Sequence, residues 1–216
     1  RGTDLQAIID SIESGSLHAD LKLVVSNVKD AYILTRAAKY NPVFIPSAKR
    51  TRIAFENDVL EEIEKVGGVD IVLCIGFMRI LSPSFVQRYP YRILNVHPSL
   101  LPEFAGGMDT DVHTEVLKAG RTETGCTVHI IDAGVDTGPI VIQKKCKIVQ
   151  GETAETLKAK VQALEQVALL DAIHMYQQGR LPYELVTQRG VTYRESGVDT
   201  AKGDSLVERI KPVCKA

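Results

Sequence analysis

Several absences narrow the possibilities first. The chain has no apolar run long enough to span a bilayer and no signal-peptide pattern at its start, so nothing cues a membrane helix or secretion. It carries no excess of either charge sign: the formal net charge is −1. No field therefore favours nucleic acid or an anionic membrane as a partner. Its four cysteines, Cys74, Cys126, Cys146 and Cys214, show no Cys-x-x-Cys spacing. A reduced, cytoplasmic chain fits them better than a disulfide framework or a zinc site, and no metal is expected. There is no Gly-x-Gly-x-x-Gly, which leaves a nicotinamide oxidoreductase without support. Internal repeats and low-complexity segments are also missing.

What remains is an ordinary globular composition. Hydrophobic residues make up 44% of the 216 residues and charged residues 25%. The pattern alternates between helices and strands. Leu5, Ile8, Ile9 and Ile12 at helical spacing start a helix near Asp4, with Thr3 as its N-cap. Leu21–Val25 reads as a strand, Ala31–Tyr40 as a helix and Pro42–Pro46 as a short strand. Arg52–Val66 is an amphipathic helix. Val69–Ile75 is continuously apolar and β-branched, as in a parallel strand buried on both faces. With the strand that includes Arg92–Val96, it is expected to form an adjacent central pair. Val112–Ala119 is a helix, Gly125–Ile131 and Ile140–Ile148 form a hairpin, and Thr153–Gln178 is the longest helix. The fold class is α/β, a doubly wound, mostly parallel, Rossmann-like sheet with helices on both faces. The C-terminal part adds the hairpin and the long helix.

One domain over 1–216 is expected. The alternation opens on a helix, which implies an apolar strand before Arg1 that this sequence omits. Beyond Pro182 the chain is polar and weakly patterned, a surface tail over 184–216 with one short strand at Tyr183–Thr187.

In sheets of this class ligands bind beyond the C-terminal strand ends. The loops after Ile75 and after Leu94 should both face such a site. Asn95-Val96-His97-Pro98-Ser99-Leu100-Leu101-Pro102 follows the apolar run Arg92-Ile93-Leu94, and its prolines stop regular structure. Asn95 and His97 are two residues apart, so on a strand they share one face. An amide can hold a developing oxyanion and an imidazole can move protons, a pairing suited to acyl transfer. On these two residues alone, a turn with a satisfied histidine is the simpler reading. A glycine and a hydroxyl at a helix start, Gly2-Thr3, form a ready phosphate site, because bare N–H groups and the helix dipole attract an anion. Among the other histidines, His129 reads as a packed or hydrogen-bonded strand residue. His18, His113 and His174 read as exposed. Cys74 and Cys126 read as small core residues, and Asp136 in its Gly-rich turn reads by default as a turn former.

Taken together, five stretches in order carry a resemblance. They are Gly2-Thr3-Asp4-Leu5-Gln6-Ala7-Ile8, Gly76-Phe77-Met78-Arg79-Ile80-Leu81-Ser82, Asn95 to Pro102, Gly125-Cys126-Thr127-Val128-His129, and Asp136-Thr137-Gly138-Pro139. From Gly2 to about Gly179 the chain resembles the glycinamide ribonucleotide (phosphoribosylglycinamide) formyltransferase family. Members use 10-formyltetrahydrofolate as co-substrate in purine synthesis. The resemblance implies that Asn95, His97 and Asp136 are the catalytic trio. It implies phosphate and nucleotide contacts from Gly2, Thr3, Asp4, Gln162 and Glu165. It implies folate contacts from Arg52, Met78, Arg79, Ile80, Leu81 and Asn95, and from Ala133, Gly134, Val135 and Gly138 in the Ala133–Gly138 loop. The implied partners are the two small substrates, with no nucleic acid and no membrane.

The chain departs from the family at three places. Asp4 stands where an asparagine is usual, Glu165-Gln166 where Glu-His is usual, and the Gly106–Asp111 loop is longer. The alternatives are a formyltetrahydrofolate hydrolase, which typically has His-His-Ser-Phe in place of His97-Pro98-Ser99-Leu100, and a methionyl-tRNA formyltransferase, which needs a basic C-terminal domain. A nucleotide-binding module without catalysis gives His97 no role.

Overall fold

The fold is built on six strands and six helices, seen in a computed structural model that describes residues 2–107, 110–132 and 134–182, with the side chains of residues 110 and 111 outside the description. Ala133, the strand expected at Tyr183–Thr187 and the polar tail lie outside the described residues. The chain divides into two units, Arg1–Gln178 and Gly179–Ala216, and every element below belongs to the first.

In order these are α1 (Thr3–Glu13), β1 (Val24–Ser26), α2 (Tyr32–Arg36), β2 (Pro42–Phe44), α3 (Arg52–Lys65) and β3 (Val72–Cys74). Then come α4 (Pro83–Arg88), β4 (Ile93–His97), α5 (Thr110–Lys118), β5 (Glu123–Ile130), β6 (Ile140–Lys147) and α6 (Ala154–Gln177). β1 and β2 pair in parallel as a two-stranded sheet; the other four strands form a second sheet in the order β3-β4-β5-β6. β3 and β4 are parallel, and β4-β5 and β5-β6 are antiparallel.

The doubly wound arrangement can be read from the strand alternation of β3. Val72 and Cys74 pack with Phe85, Val59 and Leu60 from α3 and α4. Leu73 and its neighbour Ile75 pack with Ile8 of α1 and Ile173 of α6. Successive side chains point to opposite faces, so this strand is covered by helices on both. α6 begins with a capping box, in which the Thr153 side chain and the backbone of Thr156, and the reverse pair, bond reciprocally. Its Leu157, Val161, Ala168 and Leu169 are fully buried. Each such leucine contributes about 1.5–3 kcal/mol.

Four expectations need correction. Thr3 is the first helical residue of α1 and not its cap; the cap is Gly2, at φ 72°, with no side-chain hydrogen bond. A left-handed φ is open to glycine at little cost. β3 does pair with β4, but it is the edge of the four-stranded sheet rather than an interior strand. An apolar run reports burial of both faces and says nothing of lateral pairing. His113 is 1% exposed rather than exposed, because it lies one residue after Val112 and three before Val116 on the stripe that α5 buries. α4 was not expected at all. Ser82 caps it and Pro83 starts it, the usual signals, but six residues are too few to show a period.

Candidate functional site

The antiparallel register sets Asn95 of β4 opposite His129 of β5, and His97 opposite Thr127. Opposed side chains share a face, so the Asn95 amide nitrogen lies 3.1 Å from His129 Nε2. His129 Nδ1 lies 3.1 Å from the Ile130 carbonyl oxygen. Burial pushes the His129 imidazole below its ordinary range, against the Ile130 carbonyl and the Asp136 carboxylate. A neutral ring satisfies both contacts: Nδ1–H donates to Ile130, and Nε2 accepts from Asn95. That fixes the Asn95 amide and leaves its second N–H to donate elsewhere. His129 is packed and hydrogen-bonded, as its strand position suggests, yet it also belongs to this cluster. Strand pairing was the missing signal.

His97 is 3% exposed. Its Nδ1 is 3.3 Å from Asp136 Oδ2, and its Nε2 is 3.0 Å from the Phe104 carbonyl oxygen. Both partners are acceptors, so only an imidazolium can donate to both at once. Asp136 stands at φ 54°, in the left-handed region that aspartate tolerates better than most residues. Its Oδ2 also accepts from the Gly106 N–H at 2.9 Å, and its Oδ1 is 3.5 Å from His129 Nε2. The carboxylate therefore ties His97 to the loop after Pro102, with His129 close beside it.

That loop is tied down from beneath. Buried Thr127 donates to the Ser99 carbonyl at 2.7 Å and accepts from the Leu101 N–H at 3.0 Å. Gln143 of β6 donates to the Leu101 carbonyl and to Thr127. The turn after His97 is thus pinned by β5 and β6.

Gly2, Asp4, Met78, Asn95, Asp136 and Gln162 all line one groove of about 1370 Å³. Thr3, Arg79, Ile80, Leu81, Gly134, Val135 and Glu165 line it as well. Gln162 and Glu165, one turn apart on α6, face it together with the start of α1. Gly138 is buried at the root of the β5–β6 connection, outside the groove lining. Arg52 is exposed at the start of α3, and its guanidinium reaches the Ile80 carbonyl at 3.4 Å. Within the Asp132–Gly138 loop, Asp132 Oδ1 accepts from the Gly134 N–H and from Thr137 Oγ1. Met78 and Ile80 are each 56% exposed and Val135 is 47% exposed, an apolar rim suited to a flat ring.

Asp4 is 9% exposed, its Oδ1 has no hydrogen-bond partner among the described residues, and burial raises its carboxyl from 3.8 to about 6. An acid raised on folding stabilises the folded state only while protonated. Stability is therefore full below about pH 4 and falls as pH rises toward 6. Asp4→Asn removes that penalty. At pH 7 the variant should melt about 6–12 °C above the parent, equivalent to about 3 kcal/mol, and the gap should close near pH 4. Thermal melts across pH 4–8 check this; a parent that melts higher at pH 7 contradicts it.

Known proteins resemble this chain in sequence and in fold. The formyl transferase family matches residues 1–173. The phosphoribosylglycinamide formyltransferase of Haemophilus influenzae is 38% identical over 187 residues, covering 84% of this chain and 85% of that protein. The trifunctional purine biosynthetic protein adenosine-3 of Drosophila pseudoobscura pseudoobscura is 38% identical over 188 residues; the chain spans 13% of its length. The crystal structure of glycinamide ribonucleotide transformylase 1 from Symbiobacterium toebii superposes with a TM-score of 0.78 at 36% identity, covering 83% of this chain and 84% of that one. A match over most of the chain, in sequence and in fold, makes this protein a member of the formyl transferase family.

Proposed function

We propose that the protein transfers the formyl group of 10-formyltetrahydrofolate to the primary amine of glycinamide ribonucleotide, in the cytoplasm, as a step of purine synthesis. The observation that carries this reading is the Asn95–His97–Asp136 cluster beside a groove that a helix start and an apolar rim also line. Relatives that share the chain's full matched length bear the name of this activity.

The chemistry follows from the residues. The amine attacks the formyl carbon, and negative charge develops on the formyl oxygen. In this reading the second N–H of Asn95 donates to it, and a protonated His97 does so by exchanging the Phe104 carbonyl for the formyl oxygen, the kind of donors that lower such barriers. His97 then supplies the proton that the departing folate nitrogen needs. Asp136 holds the imidazolium and, as a carboxylate, can take the proton that the amine loses. No covalent link to the protein is required, because both reactants are held together. In this reading the phosphate lies on the N–H groups near Gly2–Asp4, with Gln162 and Glu165 beside the sugar. The pterin ring lies against Met78–Leu81 and the Ala133–Gly138 loop.

Amine dependence tests the reading. With glycinamide ribonucleotide and a 10-formyl folate, deformylated folate should appear only when the amine is present. Release without the amine would assign the protein to the hydrolases instead.

A further inference from the structure

Glu56 is a carboxylic acid on α3 that is 3% exposed, and the chemistry above makes no use of it. Its Oε1 accepts from the Ser82 N–H at 2.7 Å, and its Oε2 accepts from the Ser82 hydroxyl. Ser82 is itself 2% exposed and caps α4, accepting from the Phe85 N–H at 3.2 Å. Ser84 Oγ lies 2.9 Å from Ser82 Oγ and donates to it, since the Ser82 proton is already given to Glu56. Every polar atom of this buried pair has a partner.

The pair sits where the segment between β3 and α4 ends. Residues 76–81 lie in no helix or strand, so the segment depends on side chains for its place. Phe77 and Leu81 pack against the Cys74, Phe85 and Ile93 cluster, and further contacts come from the first two turns of α3. Arg52 reaches the Ile80 carbonyl at 3.4 Å. The Phe55 ring stacks on Phe77 with centroids 6.1 Å apart, and the Arg79 guanidinium lies 5.4 Å over the Phe55 ring. Thr51 fixes this end of α3 by accepting from the Ala54 N–H. The Arg52 and Arg79 contacts lie toward the surface and the Phe55–Phe77 contact is dispersive. The Glu56–Ser82 pair is the buried, doubly bonded one, and such pairs are expensive to break.

We propose that Glu56 is a positioning residue for the formyl donor: by holding Ser82 it sets the place of the Gly76–Leu81 loop, and so governs donor affinity without touching the donor. This rests on the assignment of that loop to the folate. Glu56→Ala removes both acceptors. Glu56→Gln keeps an oxygen for the Ser82 N–H and offers an amide N–H to its hydroxyl.

Two measurements on the full chain test this. In steady-state kinetics with 10-formyltetrahydrofolate and glycinamide ribonucleotide, Glu56→Ala should raise the donor KM about tenfold or more, with the amine KM within about twofold; Glu56→Gln should restore the donor KM to within about threefold. In hydrogen exchange without ligand, amides of Met78–Ser82 should exchange about tenfold faster or more in Glu56→Ala, with β4 and β5 unchanged. Should Glu56→Ala fail to fold, Ser82→Ala serves in its place. It loses the hydroxyl but keeps the N–H, and should raise the donor KM by about threefold. A donor KM within about twofold of the parent, equal rises in both KM values, or unchanged loop exchange each overturn the proposal. A parent protein that transfers no formyl group refutes the functional reading alone, and loop exchange then decides the tether by itself.

Discussion

Asp136→Asn is expected to lower turnover about 10²–10⁴-fold at neutral pH, the usual range for positioned acid–base assistance, with nucleotide binding little changed. The substitution keeps the shape beside His97 but removes the charge. His97 then faces an amide at Nδ1 and the Phe104 carbonyl at Nε2. The bond from Nδ1–H then ends on a neutral amide oxygen, a weaker acceptor than a carboxylate. His97→Ala should lose as much. Turnover of both folded variants, set beside their melting temperatures, separates a working Asp136 from a turn former. A folded Asp136→Asn protein with a near-normal rate rules out the role given to it here.

Gly138→Ala is expected to add a strongly damaging methyl at the hairpin root beside the proposed site. A Cβ there would lie 1.8 Å from the Ile130 carbonyl oxygen and 2.9 Å from its carbon. Both are backbone atoms of β5, so no side-chain rotation relieves the clash. The Ile130 N–H also donates to the Pro139 carbonyl at 2.9 Å, closing the hairpin root that the added methyl would force apart. Overpacking of this kind costs about 3 kcal/mol or more, about 6–12 °C in melting temperature for a chain of this size. Asp136 is two residues away, so turnover should fall beyond what the lost stability explains. Gly134→Ala is the control. Its Cβ would lie 2.0 Å from Thr137 Oγ1, the end of a side chain that can rotate. The expected loss is the Thr137–Asp132 hydrogen bond, about 1 kcal/mol. Equal melting temperatures for Gly138→Ala and the parent contradict this account.

Much of this arrangement is legible in the sequence because strands and helices have fixed periods. The two-residue spacing of Asn95 and His97 places both on one face of β4 wherever that strand pairs. Leu5, Ile8 and Ile9 announce the buried stripe of α1, and all three are buried. What stays hidden depends on partners that the local pattern does not name. His129 joins the cluster only through the β4–β5 register. The Phe104 contact to His97 is made by a backbone carbonyl, which leaves no mark in residue identity. Nothing local marks Glu56 as buried; Ser82, 26 positions on, returns to it. His113 misled because one polar residue within a stripe looks like an exposed one. The edge position of β3 was invisible for the opposite reason, since an apolar run looks the same at an edge as in the interior.

The most direct measurement follows the formyl group itself. Protein is incubated with 10-formyltetrahydrofolate labelled in the formyl carbon, together with glycinamide ribonucleotide, and the products are separated. If Asn95, His97 and Asp136 serve transfer to the amine, the label lost from folate appears in N-formylated nucleotide, and His97→Ala abolishes that product while the fold survives. Label released as free formate, or label that stays on folate with intact protein, would contradict the account.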